Sequence, residues 1–114
     1  MTHRLLVVAL AVSLVGSAGI SSVQAADLAN GKKVYADKCA RCHGITGKGD
    51  GPKAETLEKK PADYTDKKKM SELTDAQLKK VALDGKSPMP AYKGKISDKD
   101  LEDVVAHIRT LAGK

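Results

Sequence analysis

Cys39-Ala40-Arg41-Cys42-His43 contains both cysteines of the chain and constrains its fold more than any other segment. C-x-x-C-H is the attachment sequence of c-type haem. Two thiols three residues apart can each add to one vinyl group along a haem edge. The histidine that follows then lies under the iron as its proximal ligand. Three other readings compete. A thioredoxin-like dithiol needs a preceding strand and an α/β pattern, and no stretch of four or more alternating β-branched residues occurs. A zinc site finds few ligands beyond the two cysteines, His43 and His107. A structural disulfide leaves His43 without a role.

Composition fits a bound group. A core of this size ordinarily leans on large aromatic side chains, which bury roughly 150–250 Å² each. This chain has 114 residues, enough for one domain, with three tyrosines, no phenylalanine and no tryptophan. Small apolar residues must do the packing, or something other than protein fills the middle. Two cysteines exclude a disulfide-dense scaffold and a Cys₄ zinc site. At 30% charged and 41% hydrophobic, the sequence is neither collagen-like nor plainly disordered.

Residues 1–25 read as a secretory signal peptide. Met1-Thr2-His3-Arg4 is a short basic start, Leu5 to Ile20 is apolar apart from small residues, and Val23-Gln24-Ala25 fits a small-x-small cleavage pattern. An uncleaved anchor is the competing reading. The apolar run is interrupted by Ser13, Gly16, Ser17 and Gly19, and a membrane span needs about 20 apolar residues. Residues 26–114 are then the folded domain, exported to the periplasm and without a membrane span.

That domain reads as short helices joined by loops rich in glycine and proline. Asp27 caps a helix from about Leu28 to Cys39, with Gly31 and Tyr35 on one face. Residues 43–70 read as loop, with a helical turn near Pro52 to Lys60 and a solvated run at Lys67-Lys68-Lys69. Thr74 and Gln77 form a capping box for a helix that points Leu78, Val81 and Ala82 inward and stops at Gly85. Ser87 to Lys95 is again loop. Ser97 caps the last helix, where Leu101, Val104, Val105, Ile108 and Leu111 make one apolar stripe, and Ile96 and Leu101 can form a hydrophobic staple.

These elements, in this order, resemble the small monohaem class I cytochromes c of bacteria over residues 27–112. Gly31 and Tyr35 match the family's Gly-x-x-x-aromatic pattern, and Cys39-Ala40-Arg41-Cys42-His43-Gly44 follows. Gly47-Lys48-Gly49-Asp50-Gly51-Pro52 and Lys60-Pro61-Ala62-Asp63-Tyr64 are similar to its intervening loops, and Gly85 to Tyr92 to its Met-Pro-Ala-aromatic segment. The resemblance implies an all-α class I fold: three to four short helices wrapped around one covalent haem c, with the N- and C-terminal helices crossing. It implies Cys39 and Cys42 as the thioether residues, His43 as the proximal and Met89 as the distal iron ligand. It also implies Pro52 as the residue whose carbonyl accepts the His43 Nδ1–H bond.

The residues themselves support Met89. A thioether is a soft ligand, and His/Met ligation favours ferrous iron. Pro88 and Pro90 restrict the loop around the sulfur. A core gap-filler is the competing role for Met89, and Met70 and His107 are competing ligands. His107 stands where the family usually has an aromatic. It reads either as a packed neutral imidazole or as a pH-sensitive contact with the N-terminal helix.

The resemblance implies a soluble, monomeric electron carrier of the periplasm, and not an enzyme. Lys38, Arg41, Lys48, Lys53, Lys86, Lys93 and Lys95 flank the haem-binding loops, and the formal net charge is +6. A basic rim would steer redox partner proteins with acidic docking surfaces; general solubilising charge is the plainer reading. The modest charge and the lack of an aromatic stacking platform argue against nucleic acid. Two other functions remain open: a haem subunit of an exported dehydrogenase or oxidase complex, or a haem enzyme with a labile sixth ligand. Tyr64 and Tyr92 are candidates for the haem propionates.

Overall fold

The computed structural model describes residues 25–113, together with Ala11, Ser13 and Gly16. The expected leader, 1–25, otherwise lies outside the described residues. Five α-helices follow one another: α1 (Leu28–Lys38), α2 (Ala40–His43), α3 (Lys67–Glu72), α4 (Asp75–Asp84) and α5 (Asp98–Leu111). A short 3₁₀ turn covers Ala54–Thr56. Among the described residues there is no strand, only one bridge pairing Lys86 with Met89. The described residues are therefore all-α, with five α-helices where three to four were expected. No described helix is long and apolar enough to cross a membrane.

Local signals set most of the helix starts. The Asp27 carboxylate accepts from Asn30 N, the Thr74/Gln77 capping box forms in both directions, and Ser97 Oγ accepts from Asp100 N. The extra helix α3 corrects the solvated-loop reading of the lysine run. Asp66 caps it by accepting from Lys69 N, and Met70 anchors it in the core at 3% exposure. Six residues with one apolar side chain show no period to read. The turn near Pro52 shrinks to the 3₁₀ segment.

Helix α5 supplies most of the core. Leu101, Val104, Val105 and Ile108 are buried, and Leu111 packs half-buried beside them. Helix α4 meets this core through Leu78, Ala82 and Leu83, and Lys79 pairs with Glu102 of α5. Val81, expected inward, is exposed because it lies off that edge. Arg109 joins three elements. Its Nε donates to Asp75 Oδ1 at 2.8 Å, its Nη1 to Met70 O at 2.7 Å and its Nη2 to Leu73 O.

Helices α1 and α5 cross at Gly31, where the backbone of one helix rests on that of the other. A Cβ added at Gly31 would lie 2.0 Å from Asp103 O and 3.1 Å from His107 Cβ. Tyr35, one turn on, is 1% exposed, and its hydroxyl donates to Gly44 O at 2.6 Å. His107 packs its ring on Tyr35, with centroids 5.1 Å apart. Burial, with Lys32 close by, lowers the pKa of the imidazole, so the neutral form is favoured.

Sequence reasoning missed Asp103, a charged residue off the apolar stripe of α5 and yet 1% exposed. Its carboxylate accepts from Asp27 N at 2.8 Å, Asn30 Nδ2 at 2.8 Å and Lys99 Nζ at 2.7 Å. Asp103 thus ties the start of α1 to α5. Hydrogen bonds from Lys99, Asn30 and Asp27 hold its pKa at about 2, below the ordinary 3.8. A lowered folded-state pKa gives stability that is present above pH 4 and lost as pH falls toward 2. Thermal melts of wild type and Asp103→Asn should therefore differ most at neutral pH and converge between pH 4 and 2. A constant gap across that range would contradict this role.

Candidate haem-binding site

Helix α2 is the C-x-x-C-H segment folded into a single turn. Cys39 begins it, at the end of α1, and its carbonyl accepts from His43 N at 2.9 Å. The carbonyls that this short helix leaves without helical donors are met by the glycine-rich loop. Gly49 N donates to His43 O at 2.7 Å, Gly51 N to Cys42 O at 3.1 Å and Lys53 N to Arg41 O at 2.8 Å. The loop thus fixes the turn through backbone-to-backbone hydrogen bonds.

Both cysteines are free thiols. Burial pushes Cys39 up to about 11, which keeps it protonated at neutral pH. His43 is 8% exposed, and burial lowers its pKa, with an opposing contribution from its hydrogen bond to Ala62. Its neutral form is therefore favoured, the form that binds metals. His43 Nδ1 lies 3.1 Å from Ala62 O. A carbonyl can only accept, so Nδ1 carries the proton and Nε2 keeps its lone pair. That lone pair accepts from Tyr64 Oη at 3.3 Å, with the two rings stacked 4.5 Å apart.

The structure brings Cys39, Cys42 and His43 onto one turn, but it does not give His43 the expected partner. Ala62 supplies the carbonyl, while Pro52 is exposed and lines an open cleft with Ala36, Ala40 and Ile45. The reason is the path of the loop. It closes on the backbone of Arg41 and Cys42 at Lys53 and Gly51, and the Pro61-Ala62 segment is what passes the imidazole. Any residue can present a carbonyl, so the sequence carries no signal for Ala62.

Met89 sits half-buried in a loop built on the end of α4. It exchanges backbone hydrogen bonds with Lys86, at 2.7 and 3.1 Å. Tyr92 N donates to Ala82 O and Lys93 N to Leu83 O. Met70, the competing methionine, is committed to the core. Tyr64 and Tyr92 have protein partners for their hydroxyls, His43 and Lys38 O respectively.

Two unpaired thiols, a neutral imidazole with its Nε2 lone pair set by Ala62, and a thioether on a separate loop are a donor set that fits haem c. The rival readings lose ground. The described residues hold no strand, no disulfide, and no group of three or more His, Cys, Asp or Glu side chains placed to hold a metal ion.

Comparison with known proteins agrees. Residues 26–108 match the family described as cytochrome c oxidase, cbb3-type, subunit III. The chain is 37% identical to cytochrome c6 of Synechocystis sp. over 79% of its own length and 70% of the relative's. It is 38% identical to cytochrome c6 of Parathermosynechococcus lividus over 78% and 95%, and 33% identical to that of Gloeothece citriformis over 94% and 92%. The chain belongs to the small monohaem class I cytochromes c. As a class I cytochrome c it carries a covalently bound haem c, acts in electron transfer and works with redox partners. When bound, the haem supplies a one-electron couple at its iron. The protein's part is to hold the imidazole as one tautomer and to position the thiols.

Proposed function

We propose that this cytochrome c is an exported, soluble, monomeric electron carrier and not an enzyme. Cys39 and Cys42 hold the haem, and His43 and Met89 are its axial ligands. With both axial positions filled, no site remains for dioxygen or peroxide. The observation that supports this reading is the His43–Ala62 hydrogen bond, which puts the proton on Nδ1 and the lone pair that ligation needs on Nε2, on the same turn as both thiols. Removal of residues 1–25 leaves 26–114 as the working domain, in the periplasm. Lys48, Lys53, Lys86, Lys93 and Lys95 are exposed around the haem-binding loops. They favour partners with acidic docking surfaces and fast, salt-sensitive encounter.

Optical spectra of the haem-loaded protein test the ligand set. Oxidised wild type should be six-coordinate and low-spin, with the weak far-red band of Met–Fe(III) ligation. Met89→Ala should lose that band and bind added imidazole. Persistence of the band in Met89→Ala would move the ligand elsewhere. High-spin bands in wild type would favour a ligand-binding or catalytic haem protein instead.

A further inference from the structure

We infer that Tyr92 is a positioning residue for the Met89 sulfur, because its hydroxyl clamps the methionine loop to the backbone on which the haem thiols stand. The inference rests on the reading of Met89 as the axial ligand.

Most of the bonds that shape this loop stay within it or run to α4. Lys86 and Met89 pair with each other, Lys95 N donates to Tyr92 O at 2.8 Å, Tyr92 N to Ala82 O at 3.0 Å and Lys93 N to Leu83 O at 3.1 Å. They make the loop and the end of α4 one unit. None of them fixes that unit to the turn that bears Cys39, Cys42 and His43. Tyr92 Oη does so. It donates to Lys38 O at 2.8 Å across 54 residues of sequence.

Lys38 is the last residue of α1, where carbonyls run out of helical donors, and Cys39 follows it directly. The bond therefore joins the residue before the first thiol to a ring three residues after the proposed sulfur ligand. The intervening Pro90 and the bonds from Tyr92 N and Lys93 N leave little slack between them. A state with Met89 detached and the loop swung away would break the Tyr92–Lys38 bond. A state with Met89 bound keeps it. The hydroxyl thus favours ligation of the sulfur over its release.

Imidazole displacement of the ligand measures that preference. Haem-loaded wild type, Tyr92→Phe, Met89→Ala and the double variant are titrated in the ferric state at pH 7, following the far-red band and the Soret shift. Tyr92→Phe keeps the ring and loses one hydrogen bond. It should bind imidazole about fivefold more tightly than wild type. In the Met89→Ala background the same substitution should change nothing, because no sulfur remains to be held.

Equal imidazole affinity in wild type and Tyr92→Phe would overturn the inference, even if the denaturation midpoint fell, since a bond that only braces α1 changes overall stability alone. An equal gain in both backgrounds would also overturn it. Failure of the premise looks different: Met89→Ala would then keep the far-red band and the wild-type imidazole affinity.

Discussion

Gly31→Ala is expected to lower the melting temperature by about 8–16 °C. Alanine is the better helix former by about 1 kcal/mol, so propensity alone predicts a gain. The contact decides otherwise. The new methyl would lie 2.0 Å from Asp103 O and 2.6 Å from Asp103 C, both backbone atoms of α5. Backbone cannot rotate away, so the helices must separate. Overpacking of this kind costs about 3 kcal/mol. The net loss is about 2 kcal/mol, and 1 kcal/mol is worth about 4–8 °C in a domain of this size. Separation would also stretch the bonds from Asp27 and Asn30 to Asp103 and unseat His107 from Tyr35. A melt equal to or above wild type would mean that α1 and α5 do not cross here.

Gly85→Ala should release Met89, the proposed axial ligand, and leave the fold standing. Gly85 caps α4 with φ 73° and ψ 170°, a region that is almost exclusively glycine's and costs other residues roughly 1–3 kcal/mol. The added methyl would also sit 2.8 Å from both Ala91 N and Met89 O. The strain falls on the segment that carries the sulfur. α4 starts from its own capping box and packs through Leu78 and Ala82, so it has no need of that segment to stay folded. Expressed at the haem, 1.4 kcal/mol is tenfold. Imidazole should therefore displace Met89 at least about tenfold more readily, with little loss of helical circular dichroism. Unchanged imidazole affinity would show that the loop tolerates the methyl and that Gly85 does not set the place of the sulfur.

The two glycines show what was legible in the sequence and what was not. Gly31, Tyr35 and the C-x-x-C-H turn could be read because each depends on spacing along one short segment. The stripe from Leu101 to Leu111 and the Thr74/Gln77 box are likewise local patterns. Elements that depend on distant partners left no such trace. Asp103 looks solvent-facing until Asn30 and Asp27 are brought to it across the helix crossing. Arg109 stands near the end of α5 like any surface arginine, yet it fastens α3 and α4 through two carbonyls and Asp75. The carbonyl partner of His43 was sought at Pro52 and found at Ala62, because a backbone acceptor has no residue-type signature. The hydroxyl of Tyr92 escaped for the same reason, since its acceptor is the backbone of Lys38.

The central claim is that Cys39 and Cys42 bind one haem covalently, with His43 beneath the iron. The most direct measurement is the alkaline pyridine haemochrome spectrum together with the mass of the denatured chain. The protein should be purified from a host that matures c-type cytochromes. A haemochrome typical of two saturated vinyl groups, on a chain heavier by one haem after denaturation, is the expected result. A haem that extracts into acidified organic solvent, or a chain of unmodified mass with two titratable thiols, would contradict the account and return Cys39 and Cys42 to dithiol chemistry.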